Sequence, residues 1–105
     1  MNTDRDLLEA AAKTAGLHVD MRSPLPDYLW VREIKLHGPY RSWNPLTDDG
    51  DALRLAVRLG LEVDCETDPI AVGDGNIGVR EAHRGDPYVA TRRAIVRAAA
   101  AMVAG

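Results

Sequence analysis

The sequence predicts a single α+β domain, residues 1–105, with about three helices and a small, mostly antiparallel sheet. Three segments repeat apolar residues at the spacing of an amphipathic helix, and short segments between them alternate apolar and polar residues. A chain of 105 residues can bury one core but is too short for two independent ones. The order of elements fits a layered α+β domain, and periodicity leaves open whether the helices cover one face of the sheet or both.

The first helix is predicted from Asp4 to Ala15. Thr3 precedes it as a good N-cap, and Gly16 follows it as a left-handed stop. Its predicted buried face consists of Leu7, Leu8, Ala11, Ala12 and Ala15.

Two strands are predicted before the second helix. Residues 17–21 alternate apolar and polar side chains, and residues 28–36, YLWVREIKL, are rich in β-branched and aromatic residues. The alternation slips between Val31 and Ile34, which indicates a bulge or an early end of the strand. Residues 37–45, HGPYRSWNP, are predicted to be a turn-rich connection.

The second helix is predicted from Asp49 to Leu59, and Gly60 stops it. The predicted buried stripe consists of Leu53, Ala56 and Val57, flanked by Leu55 and Leu59. The predicted solvent side carries Asp51, Arg54 and Arg58.

The segment LEVDCE, residues 61–66, is predicted to be a half-buried strand. Strict alternation directs Leu61, Val63 and Cys65 to the apolar side and the three acidic residues to water. Residues 70–81 are predicted to form a hairpin, because the GDGN sequence tolerates the backbone of a tight turn.

The last helix is predicted to begin at Pro87, with Asp86 as its N-cap. Arg93 and Arg97 point away from its apolar stripe, whereas Arg92 falls inside it and is expected to reach the surface or to pair with an acid on a neighbouring segment. The stripe consists of Tyr88, Ile95, Ala99 and Met102, widened by Val96 and Val103.

The acidic run TDDGD, residues 47–51, resembles a metal site more than any other segment does. An EF-hand loop needs ligands at alternate positions and a glutamate at the twelfth, but the twelfth residue from Asp49 is Gly60. A helix start explains the acids without an ion, because Thr47 or Asp48 can cap free N–H groups. The three histidines lie on separate segments, and Cys65 is expected to be a buried thiol. The sequence therefore predicts no metal, no cofactor and no catalytic residue.

Two surfaces are candidates for binding a partner. If Leu29 and Val31 face the core, Trp30 faces outward beside Tyr28 and Tyr40, and this face either is a partner surface or is covered by another helix of the same domain. The second candidate is the basic face of the last helix, with Arg93 and Arg97. The chain has 8 Lys and Arg against 14 Asp and Glu up to Gly75, net −6, and 5 Arg against 2 acids after it, net +3. These halves can attract each other within one domain, or the basic face can serve an anionic partner.

Two blocks of the sequence resemble the phage ABA sandwich domain family of small phage and prophage proteins. They are SWNPLTDDGDALRLAVRLGLEVD, residues 42–64, and GDPYVATRRAIVRAAAAMV, residues 85–103, and residues 7–17 fit as well. The similarity is loose over 21–39 and 67–84. The resemblance implies a three-layer α/β/α sandwich with helices on both sides of the sheet. It implies no activity and no site residues.

We therefore expect a small, non-catalytic accessory or protein-interaction module whose partner is a phage or host protein. The sequence has neither a long apolar run nor a signal-peptide pattern, so we expect no membrane association and a location in the cytoplasm of a bacterial host cell. The alternative is an anion- or nucleic-acid-binding protein that uses Arg92, Arg93 and Arg97. The net charge of −3 weighs against that alternative.

Overall fold

A computed structural model describes residues 3–20, 28–34 and 38–102 of the chain. The elements are α1 (Asp4–Thr14), β1 (Leu17–Val19), β2 (Leu29–Glu33), β3 (Arg41–Trp43), α2 (Asp49–Leu59), β4 (Glu62–Asp64), β5 (Ile70–Gly73), β6 (Gly78–Glu81) and α3 (Pro87–Ala101). The strand pairs are antiparallel. The predicted α+β class and the three helices are confirmed. Predictions for Met21, for residues 35–37 and for Val103 lie outside the described residues.

The described strands divide between two three-stranded sheets, a division that the alternation pattern did not resolve. Sheet A has the order β1-β2-β3, and sheet B has the order β4-β5-β6. Sheet B contains the predicted hairpin of β5 and β6, whose turn is closed by the Asp74 side chain. That side chain accepts hydrogen bonds from the backbone N–H groups of Asn76 and Ile77, which lower the pKa of Asp74.

Strand β3 corrects the prediction of a turn-rich connection over residues 37–45. Residues 41–43 pair with β2, with Leu29 opposite Trp43 and Val31 opposite Arg41. Trp43 is buried in the core. Residues 41–43, RSW, contain one apolar residue and no alternation, so the sequence pattern could not reveal this strand. Strand β2 ends at Glu33, as the slip after Val31 predicted.

The helix ends follow the capping residues seen in the sequence. Thr3 and Asp6 form a reciprocal capping box at the start of α1, and the hydrogen bond from the Thr3 backbone N–H lowers the pKa of Asp6. Asp48 caps α2, and Gly60 ends it in the left-handed conformation at a φ of 64°. Asp86 caps α3 and accepts hydrogen bonds from two backbone N–H groups.

The rotation of α2 about its axis differs from the prediction. Its buried residues are Asp51, Ala52, Leu55 and Ala56, whereas Leu53 and Val57 are 64% and 71% exposed. The predicted burial of Leu53 and Val57 and the predicted exposure of Asp51 are therefore wrong. The reason is a contact with the segment just before the helix: Asp51 Oδ2 accepts a hydrogen bond of 3.0 Å from the backbone N–H of the buried Asn44. Asp51 Oδ1 accepts a second one of 2.8 Å from Arg54.

Helix α3 is the central element of the fold. It contacts α1, α2, β5 and β6. The predicted burial of Ile95, Val96 and Ala99 is confirmed, and Tyr88, predicted to be buried, is exposed because the first turn of α3 extends beyond the core. The buried apolar residues of both sheets and all three helices form one core cluster.

Replacement of Asp51 tests the role of its buried carboxylate. Asp51→Ala removes the acceptor of the Asn44 N–H, so we expect the free energy of unfolding to fall by about 1–3 kcal/mol. Urea denaturation monitored by circular dichroism measures this change. The control is Glu66→Ala, which removes an exposed carboxylate outside the helix. Equal losses in the two variants would show that the buried contact does not fix α2.

Candidate functional site

An apolar groove of about 470 Å³ opens between α2, β4 and the first half of α3. We call it the α2–α3 groove. Its apolar and sulfur-bearing lining residues are mainly Leu53 and Ala56 on α2, Val63 on β4, Cys65 directly after β4, and Tyr88 and Ile95 on α3. Leu53 and the 68% exposed Tyr88 form its rim, so the groove presents large apolar side chains to solvent.

The groove exists because the helices cover sheet B unevenly. Val72 on β5 is 2% exposed, whereas Val63, directly opposite it on β4, is 38% exposed. Both side chains point to the face of the sheet that packs on the helices, because residues opposite each other on paired strands share a face. Helix α3 contacts β5 and β6, so β4 is the part of sheet B that the helices leave incompletely covered.

Cys65 lies on the wall of this groove and is exposed, which corrects the prediction of a buried thiol. Strand β4 ends at Asp64, so the alternation that placed Cys65 in the core no longer applies at that residue. Cys65 Sγ lies 3.7 Å from Thr91 Oγ1. Within residues 3–20, 28–34 and 38–102, no group of three or more His, Cys, Asp or Glu side chains is placed to hold a metal ion.

The three aspartates of the TDDGD segment each have a partner in the protein. Asp48 accepts a hydrogen bond of 2.8 Å from the backbone N–H of Asp51, which confirms the predicted helix start. Asp49 pairs with Arg92 at 2.7 Å. Arg92 Nε also donates to the carbonyl oxygen of Leu46 at 2.9 Å. The expectation that Arg92 pairs with an acid on a neighbouring segment is confirmed.

Arg93 and Arg97 connect α3 to its neighbours. Arg93 Nη1 lies 3.1 Å from Asp4 Oδ1 at the start of α1, and Arg97 Nη1 lies 2.7 Å from Glu81 Oε2 on β6. Arg97 also donates to the backbone carbonyl of Arg80. Both side chains are partly exposed. The chain itself supplies the counter-charges of this face, and a role of these arginines in binding a partner stays a prediction.

Trp30 lies on the exposed face of sheet A, as the alternation predicted. Its ring makes an edge-to-face contact with Tyr28 at 5.4 Å between centroids. On the same sheet the Arg32 guanidinium lies 5.1 Å from the ring centre of Tyr40, whose hydroxyl is 2.9 Å from His18 Nδ1. This face combines residue types that are common at binding hot spots, and a partner for it stays a prediction.

Comparisons with known proteins found no relative of this chain: no family model, no curated protein and no solved structure matches it. The resemblance to the phage ABA sandwich domain family therefore stays a prediction. Among the described helices, none is both long and apolar enough to cross a membrane.

The α2–α3 groove is the feature that the sequence patterns missed. Six of the eleven residues of α2 are apolar, and they are spread over more than one face of the helix. This excess could have indicated an exposed apolar face. It could not have located a groove, because the groove depends on where α3 and β4 meet α2.

Charge reversal on α3 tests whether Arg93 and Arg97 tie the fold together. In the double variant Arg93→Glu and Arg97→Glu, acidic side chains face Asp4 and Glu81, so we expect destabilisation greater than in the matched pair Arg93→Gln and Arg97→Gln. The neutral pair should cost about 0–1 kcal/mol for each lost contact, as exposed ion pairs do. Thermal unfolding compares the two. A charge-reversed variant as stable as the neutral one would show that these contacts contribute nothing.

The ion pair between β2 and α2 predicts a pH dependence of stability. The hydrogen bond from Arg58 to Glu33 lowers the pKa of Glu33 from its ordinary value of 4.5. Because the folded state holds this carboxyl ionised at lower pH than the unfolded state does, the pair stabilises the fold above about pH 4.5. That contribution is lost as the pH falls through the folded-state pKa.

We therefore expect Glu33→Gln to lower the unfolding temperature at pH 7 and to have a diminishing effect below pH 4.5. Unfolding temperatures of the wild-type protein and the variant, measured from pH 7 to pH 3, provide the comparison, and Glu66→Gln at an exposed position is the control. If the unfolding temperature of the variant is lower than that of the wild-type protein by the same amount at every pH, the effect of the substitution does not depend on the ionised carboxyl.

Proposed function

We propose that this chain is a small, non-catalytic protein-interaction module that binds an apolar segment of a protein partner in the α2–α3 groove. In keeping with the family resemblance, we propose that it is a phage or prophage accessory protein. Its partner would be a phage or host protein in the cytoplasm of the bacterial host cell. The exposure of Leu53 and Tyr88 at the rim of the groove is the observation that supports this function most directly.

Exposed large apolar side chains that cluster around a groove are typical of binding surfaces. Scattered single apolar residues are normal on any protein surface, but a contiguous patch that surrounds a concave site is associated with partner recognition. Here α2, β4 and α3 all contribute to the same groove. Burial of one leucine or valine side chain in an interface contributes about 1.5–3 kcal/mol, so a few anchors are enough for specific binding.

Binding of an anion or a nucleic acid is the second candidate function, and the ion pairs of α3 weigh against it. Arg92, Arg93 and Arg97 already pair with carboxylates of the same chain, so an anionic ligand would have to compete with them. The net charge of the whole chain is −3. Binding that depends on phosphate contacts also weakens steeply with salt, which gives a simple way to distinguish the two candidates.

Affinity capture from phage-producing bacterial cells tests the proposed function. The tagged protein is used at low and moderate salt, with and without nuclease, and captured proteins are quantified by mass spectrometry. We expect a stoichiometric partner whose recovery falls by about tenfold or more in Leu53→Asp, because the apolar anchor is lost. Circular dichroism of the variant verifies that the fold is intact.

The control is Val89→Asp, which changes an exposed apolar residue of α3 that does not line the groove. This variant should retain the partner. A partner that binds Leu53→Asp as well as the wild-type protein would contradict the assignment of the groove. Recovery of nucleic acid that disappears at moderate salt would favour the second candidate function.

A further inference from the structure

Strand β4 is an edge of sheet B and borders the α2–α3 groove. The order of the sheet is β4-β5-β6, so β4 pairs with β5 on one side, and no described strand pairs with its other side. An edge strand offers unpaired backbone N–H and C=O groups on which an extended segment can form further hydrogen bonds. The groove and the free edge therefore form one continuous surface.

The two faces of β4 differ in chemistry. Val63 points into the groove, and its partial exposure marks the place where the helices leave the packing face of sheet B uncovered. Glu62 and Asp64 point to the opposite face, because side chains alternate along a strand. A segment added beside β4 would therefore meet an apolar neighbour on one face and carboxylates on the other.

Acidic residues predominate in β4 and in the segments next to it. Residues 60–79 contain five acidic residues and no lysine, arginine or histidine. Arg80 lies on the same outer face of sheet B, two strands away from Asp64, and lines one shallow concavity with Glu62 and Asp64. None of the salt bridges among the described residues joins it to either carboxylate. On the groove side, the exposed Asp49 is paired with Arg92. The carboxylates of β4 therefore favour a positively charged neighbour.

We propose that β4 accepts an extended, cationic segment of a protein partner as a fourth strand of sheet B. Alternate apolar side chains of that segment enter the α2–α3 groove over Val63, and the intervening lysine or arginine side chains lie beside Glu62 and Asp64. This inference rests on the proposed function, because it specifies the partner that the groove binds. The groove supplies the apolar contacts, and the charge of β4 selects a cationic occupant.

A second copy of the chain is a poor occupant of this edge. Two β4 strands placed side by side would bring acidic residues opposite acidic residues, and like charges directly opposite each other destabilise a strand pair. Short, charged edge strands also protect proteins from pairing with themselves. A cationic segment converts the same charges into favourable cross-strand pairs.

The test uses fluorescein-labelled octapeptides in fluorescence anisotropy titrations with the full chain at low and moderate salt. The probe peptide alternates lysine and valine. A second peptide alternates glutamate and valine, and a third has the lysines and valines in separate blocks. We expect only the alternating lysine–valine peptide to bind well. Equal binding of the block peptide would show unspecific charge attraction and would overturn the proposal.

Two protein variants test the role of the charges on β4. The double variant Glu62→Gln and Asp64→Asn should weaken binding of the lysine–valine peptide by about fivefold, the effect of two cross-strand charge pairs. The matched double variant Asp4→Asn and Glu9→Gln changes the net charge by the same amount on α1 and should bind as the wild type does. Equal losses in both double variants would overturn the assignment to β4.

Backbone pairing is tested with two lysine–valine peptides that are N-methylated at alternate positions. Along an added strand, every second backbone N–H group points toward β4 and the others point away from it. Strand addition therefore predicts that one of the two methylated peptides does not bind. Unchanged binding of both methylated peptides would overturn strand addition. Sedimentation equilibrium provides a further test, because self-association of the wild-type protein that an excess of the lysine–valine peptide abolishes would show a second copy at this edge and would overturn the choice of occupant.

The outcomes for this inference and for the proposed function can be distinguished. If Leu53→Asp loses the cellular partner but the wild-type protein does not bind the lysine–valine peptide, the groove binds a partner of another chemistry and this inference is wrong. If the peptide binds through Glu62 and Asp64 but Leu53→Asp retains both the peptide and the cellular partner, strand addition stands and the groove assignment is wrong.

Discussion

The fold depends on the close approach of α3 to the elements around it. The buried face of α3 is built largely from alanines, and α1 and α2 contribute further alanines from the other side. The distance is short enough for the hydroxyl of Thr14 on α1 to donate to the backbone carbonyl of Ala99 on α3 at 2.8 Å. Because the sequence contains no phenylalanine, the core is filled by bringing backbones together. Larger residues at these positions would overpack it.

This close packing explains why large apolar side chains appear on the surface. At the contact with α3, helix α2 buries the small residues Ala52 and Ala56, while Leu53 and Val57 face outward. The hydrogen bond from the Asn44 N–H to Asp51 holds α2 in this rotation, since a buried N–H group without an acceptor is costly. The apolar rim of the groove is thus a consequence of how the core is packed.

Local signals in the sequence predicted local structure well. Thr3, Asp48 and Asp86 cap the helices because a side-chain oxygen close in sequence satisfies the first N–H groups, and this needs no tertiary contact. The rotation of α2 was not predictable in this way, because its apolar residues occupy more than one face. The contact that decides between them joins Asp51 to Asn44 in the segment just before the helix, and no capping pattern in the sequence indicates it. Strand β3 contains a single apolar residue, Trp43, so alternation could not indicate it. The groove depends on how α2, β4 and α3 meet in the fold. The sequence therefore contains the residues that line it but does not indicate that they form a groove.

The distribution of charge follows from the same packing. Helix α3 brings the positive C-terminal part of the chain against acids of α1, α2 and β6, and its arginines are paired there. Within the described residues, no salt bridge joins the acids of β4 and the loop after it to a basic side chain. Attraction within the chain therefore neutralises the basic face and leaves the surplus negative charge on sheet B. The uncompensated charge and the uncovered apolar surface meet at β4, because the helices that supply the arginines do not extend over this edge.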